Sequence, residues 1–196
     1  MHFRRLSAFV LGAWLVGSLF VAFLASQNFA NASRILNDPP RGLLELAPQL
    51  TREQLSLLFR FAASEANRFM FETWGVVQLG LSSCLIALSV FSPRRSLLLI
   101  GGAMALLVMV MVGLFYLIPE MNQLGRRLDF RHPAEVLELR DEFRTLHFVY
   151  FLLEAVKCLL LLLLAGRLSI DRAEWRHAAQ LRAERRREAA GVHTRN

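Results

Sequence analysis

Lysine is almost missing from this chain: of 23 basic residues among 196, Lys157 alone is not arginine. Cysteine is nearly as scarce, with Cys84 and Cys158 far apart and no CxxC pair. So low a count excludes a disulfide scaffold and a zinc ribbon, and a buried free cysteine ordinarily behaves as a small apolar residue. Also lacking are a glycine-rich phosphate loop, a nucleophile beside a base and zinc-ligand spacing. No nucleic-acid motif accompanies the formal charge of +7. Finally, the apolar runs do not alternate in the ten-residue segments of a membrane β-barrel; they are continuous and rich in Leu and Ala.

What is there is long, uncharged and helical in character. With 55% apolar and 20% charged residues, the charges are collected between the apolar stretches rather than scattered. Four stretches qualify as spans: Leu6 to Ala25, Phe71 to Phe91, Ser96 to Ile118 and about Leu146 to Ala165. Each approaches the ~20 residues that a helix needs to cross a hydrocarbon layer of about 30 Å. The fold class expected is therefore all-α, an integral membrane four-helix bundle over residues 1–168 with extramembrane helical extensions. A basic tail helix is expected over 169–196.

The arginines orient the bundle. Arg4 and Arg5, Arg94 and Arg95, and a tail with eight arginines against four acids all mark cytoplasmic segments. The two longer connections are nearly balanced, with five arginines to four acids over Ser26 to Met70 and five to six over Pro119 to Arg144, and should face outward. This predicts a cell inner (plasma) membrane protein with both termini cytoplasmic and its tail near anionic lipid headgroups. Arg4, Arg5 and Ala30-Asn31-Ala32 imitate a signal peptide. An apolar core of about twenty residues, however, exceeds the roughly 7 to 15 of a cleavable one, and an uncleaved anchor is the expectation.

Local signals delimit the helices. Asp38-Pro39-Pro40 must break the helix leaving the first span, and Pro48 breaks the chain again. Thr51 with Gln54 three residues on is a capping box, so a helix over about 51–70 starts outside and runs on into the second span. Pro119 ends or kinks the third helix, and Pro133 can occupy the first turn of the next. Asp171 and Glu174 suit the start of the tail helix, and Gly191 suits its stop.

One face of the fourth span carries the chemistry. His147, Tyr150, Glu154 and Lys157 are spaced by three, four and three residues, confining them to about 80° of helix surface. A charge at the centre of a span costs about 2.5 to 3.5 kcal/mol on insertion scales, so an acid and an amine one turn apart should face the bundle interior. Gln78, and Glu72 at the edge of the second span, are candidates for the opposite wall. Lysine can lose its proton on desolvation where arginine cannot, and the single exception to arginine lies at membrane depth. Together these six residues form a candidate ligand-binding or proton-handling pocket open to the outside. The structural alternative is a neutralised pair that fixes helix register.

The stretch Phe143-Arg144-Thr145-Leu146-His147-Phe148-Val149-Tyr150, entering the last span after Pro119-Glu120, resembles the bacterial four-helix membrane proteins of unknown function related to transmembrane protein 205. The resemblance covers the bundle, not the tail, and implies an integral membrane fold without an assigned reaction. Three function classes follow: a protein that binds or moves a small polar solute or protons, a non-transporting assembly subunit with a membrane-protein partner or a second copy of itself, and a haem or metal protein. No cofactor, metal site or catalytic residue is predicted.

Overall fold

The computed structural model describes residues 2–46, 49–92, 96–131 and 136–193. Pro48, Arg94, Arg95, Pro133 and Arg195 lie outside the described residues. The described chain is all-α: α1 (His2–Asn37), α2 (Arg41–Leu46), α3 (Arg52–Val90), α4 (Leu97–Val112), a π-helical turn (Gly113–Leu117), α5 (Ile118–Leu128) and α6 (Leu137–His193). Four stretches, Phe3–Asn37, Arg52–Val90, Leu97–Leu128 and Leu137–Ile170, are long and apolar enough to cross a membrane. Leu97, Phe91 and Phe9 are among many large apolar side chains that point outward, 85%, 74% and 71% exposed. Lipid is the solvent in which such a surface is favourable, and the architecture is that of a multi-pass membrane protein.

The helix boundaries follow the punctuation. α1 stops at the Asp38-Pro39-Pro40 break, where the Asp38 amide closes the last turn on Arg34 O at 3.0 Å. Both halves of the Thr51 capping box form, the Gln54 amide donating to Thr51 Oγ1 at 3.2 Å and the Thr51 amide to Gln54 Oε1 at 2.9 Å. From there α3 runs unbroken for 39 residues. One expectation is narrowed and another corrected. Of the end or kink expected at Pro119, the helix does not end: the proline ring would strike the carbonyl four residues back, and the preceding turn widens so that the Ile118 amide reaches Gly113 O. Nor does the tail start a new helix at Asp171, because α6 is continuous for 57 residues. Gly166 lies inside it, and a helical glycine weakens but does not stop a helix, at about 1 kcal/mol relative to alanine.

α3 packs against α1 and α4, while α6 packs against α1, α4 and α5, so α3 and α6 stand at opposite corners of the bundle. Gly17 lets α1 approach the Trp74 ring, and Gly102 receives Leu164, where an added Cβ would sit 2.7 Å from Leu164 Cδ2. Gly12 and Gly101, by contrast, face open space and are not approach points. The apolar core is split into two levels. Val10, Leu11, Trp14, Leu85, Leu88, Ala103, Leu106, Leu161 and Leu164 fill the end nearer the N-terminus. Leu117, Ile118, Met121 and Tyr150 form a second plug nearer the opposite end, with Phe71, Phe143, Leu146 and Leu153 against it.

Candidate functional site

Between those two apolar levels lies a polar layer. Lys157 is 2% exposed and Gln78 1%, while the Glu154 side chain keeps 21% of its surface exposed. Lys157 Nζ donates to Glu154 Oε1 at 2.6 Å on its own helix and to Gln78 Oε1 at 2.6 Å across the bundle. Gln78 Nε2 makes longer contacts, 3.5 Å, to both oxygens of Glu154. Every member is therefore tied to both others, which is what keeps ionisable groups tolerable away from water. One turn further along α3, Ser82 is wholly buried and returns its hydroxyl to Leu79 O at 2.9 Å. The Trp14 Nε1, Ser18 Oγ and Trp74 Nε1 atoms are buried without a protein partner.

The six residues singled out from sequence do not share one chamber. Gln78, Glu154 and Lys157 meet as expected, and Tyr150 lies just above them with its hydroxyl turned to Glu154. His147 is on the same face of α6, but seven residues at 1.5 Å each raise it about 10 Å above Glu154. It stacks on Phe143, ring centroids 6.0 Å apart, on the far side of the Tyr150 plug. Glu72 is exposed and accepts a 2.6 Å hydrogen bond from Asn122 Nδ2 of α5. Six residues of helix turn Glu72 by about 240° from Gln78, off the buried face.

Open space is found above the plug. A cavity of about 400 Å³ is enclosed by the overhanging part of α3, by α5 and by the start of α6, with Phe29 of α1 at one side. Met121, Phe71 and Phe143 of the plug belong to its wall, along with His147. Buried Arg68 and Asn67 anchor it. Arg68 is held by Glu65 and, through Nη2 at 2.9 Å, by Asp129 Oδ2, the residue that caps α5. Gly125 makes room for that guanidinium, since an added Cβ would lie 2.9 Å from Arg68 Nη2. Asn67 donates to Ala25 O at 3.2 Å and accepts from Asn28 Nδ2 at 2.6 Å, locking α1 to α3 at this height.

Phe130 follows the Asp129 cap with φ of 59°, a left-handed conformation that usually favours glycine at a helix end. Its ring packs on Phe61, centroids 4.8 Å apart, and both line the cavity. Arg60, Arg131 and Arg140 complete the charged part of the wall. The sequence reading missed this chamber. Arg68 and Asn67 were visible on adjacent faces of the second span's helix, but their partner Asp129 is 61 residues from Arg68, and no local pattern joins the two.

Among the described residues, no group of three or more His, Cys, Asp or Glu side chains is placed to hold a metal. Comparison with protein-family models, curated proteins and solved structures returns no match.

Proposed function

We propose that this is an inner-membrane protein, both termini cytoplasmic, that captures a small polar solute from the outer side in the cavity beneath the α3 overhang. The observation that carries this reading is the arrangement of a cavity of about 400 Å³ over an apolar plug and a largely buried polar layer. Pockets of about 300 to 1,000 Å³ with a few convergent polar groups are the usual form of small-molecule sites. The plug and the largely buried Gln78–Glu154–Lys157 layer lie below the cavity, which supports binding before passage; that layer is the floor that any proton or solute movement would have to open. The likeness of the Leu146-His147 entry to proteins related to transmembrane protein 205 belongs to the same proposal. The test is Ser64→Cys, a cavity-wall position, in a background lacking Cys84 and Cys158. A membrane-impermeant maleimide should label it in right-side-out vesicles and not in inside-out ones; the reverse pattern, or no labelling, overturns the assignment.

A second reading rests on α6. Residues 171–193 continue the fourth span as helix, and at 1.5 Å per residue they project about 35 Å. A rod rigidly continuous with a span, bearing the chain's densest arginines, suits anionic headgroups or an assembly partner. Deleting the segment from Arg172 onward separates the readings: it should abolish partner recovery and leave Ser64→Cys labelling unchanged if the tail is the working surface.

A further inference from the structure

We infer that the outer cavity selects an organic anion with a flat or aliphatic apolar body, a carboxylate of roughly bicyclic size. This rests on the solute-binding reading and assigns the solute's chemical class. Charge is the first argument. Of the charged groups on the described wall, Arg60, Arg68, Arg131 and Arg140 are cationic and Asp129 alone is anionic. Arg68 is already matched by Glu65 and Asp129. No carboxylate among the described residues pairs with Arg60, Arg131 or Arg140. Three guanidiniums without a carboxylate partner among the described residues therefore line one small space, and each offers a planar fork that fits a carboxylate in bidentate fashion.

The rest of the wall argues for the body. Phe29, Phe61, Phe71, Phe130 and Phe143 supply five aromatic rings, with Met121 and Leu128 between them. A bare inorganic anion would leave those surfaces without partners and would forgo the apolar burial they offer. A cation would be repelled by the arginines, and a sugar-like neutral solute would meet few acceptors. The split is spatial as well as chemical: the plug residues Phe71, Met121 and Phe143 lie toward the bundle core, while Arg60, Arg131 and Arg140 are exposed at the rim. A bound amphiphile would place its apolar end inward and its carboxylate at the mouth.

The test uses full-length protein in phosphatidylcholine nanodiscs with four probes: 1-naphthoate, neutral 1-naphthylmethanol, cationic 1-naphthylmethylamine and inorganic phosphate. Binding is read as a saturable rise in thermal midpoint and as protection of Ser64→Cys from maleimide. Naphthoate should bind at least tenfold more tightly than the alcohol, with the amine and phosphate weaker still. Arg60→Gln combined with Arg140→Gln, both at exposed positions, should weaken naphthoate at least tenfold and leave the alcohol unchanged. Equal affinity for acid and alcohol, tightest binding of the amine or of phosphate, or indifference of naphthoate to the arginine variant each overturns the anion assignment. If the alcohol still protects Ser64→Cys in those cases, the cavity stands as a solute site and only the ligand class falls. If no probe protects a cysteine that is labelled from outside, the anion assignment and the solute reading fail together.

Discussion

Lys157 and Gln78 join opposite corners of the bundle through one hydrogen bond of 2.6 Å, made where neither side chain touches solvent. It is the contact that turns an ion pair within one helix into a crossbrace between two helices. Removing the amine leaves Glu154 with only the long 3.5 Å contacts from Gln78 Nε2 and leaves the Gln78 carbonyl without a donor. Lys157→Met should therefore lower stability in detergent by about 3 kcal/mol, the scale for breaking a buried pair from one side. Glu154→Gln added to it should recover a large part of that loss. A double-mutant cycle on unfolding midpoints measures the coupling, and additive losses would show that the three groups are independent.

Lys157→Arg is not a mild substitution at this position. The guanidinium is longer and planar, and its fixed fork does not fit the place that a single ammonium fills between Glu154 and Gln78. It should be nearly as destabilising as methionine, measured in the same assay.

The Arg68–Asp129 bridge ties α3 to the end of α5 across 61 residues of sequence. Arg68→Gln strands a largely buried carboxylate, and Gly125→Ala crowds the same guanidinium from the other side. Both should speed protease cleavage in the 129–136 connection, the first by more than the second. Unchanged cleavage in Arg68→Gln would remove the bridge from the account.

Phe130 holds a positive φ against the preference of an L side chain, at about 1 to 2 kcal/mol. Phe130→Gly alone should change stability little, because relief of strain is offset by loss of the Phe61 ring contact. In a Phe61→Leu background, where that contact is already gone, the glycine should raise stability by about 1 kcal/mol. Thermal midpoints of the four chains decide this.

Thr51→Ala removes the capping box and should cost about 1 kcal/mol, confined to the first turns of the overhang. Hydrogen exchange should accelerate over residues 52–56 and remain slow at the polar layer.

The helical class and the pairing of Glu154 with Lys157 were legible because both are written in local patterns: apolar runs of span length, a capping box, and spacings of three and four that share a face. Glu72 was drawn toward Gln78 by proximity along α3, although their angular separation already placed them on different faces. His147 was correctly put on the Tyr150 face, but a face specifies direction and not height, and the plug of Leu117, Ile118 and Met121 that separates His147 from Glu154 comes from other helices. The same holds for the cavity. Its walls are arginines and phenylalanines with no motif among them, assembled where α5, continuing the third span past the π-helical turn before Pro119, packs beside the α3 overhang.

The central claim is that solvent reaches the cavity beside the α3 overhang and stops at the plug. The direct measurement is the ratio of maleimide labelling rates for Ser64→Cys, on the cavity wall, and Ser82→Cys, one turn below Gln78. Ser64→Cys should react rapidly from the outer side and Ser82→Cys from neither side, a difference of at least a hundredfold. Comparable rates at the two positions would mean that water passes the Gln78–Glu154–Lys157 layer, and would contradict the account.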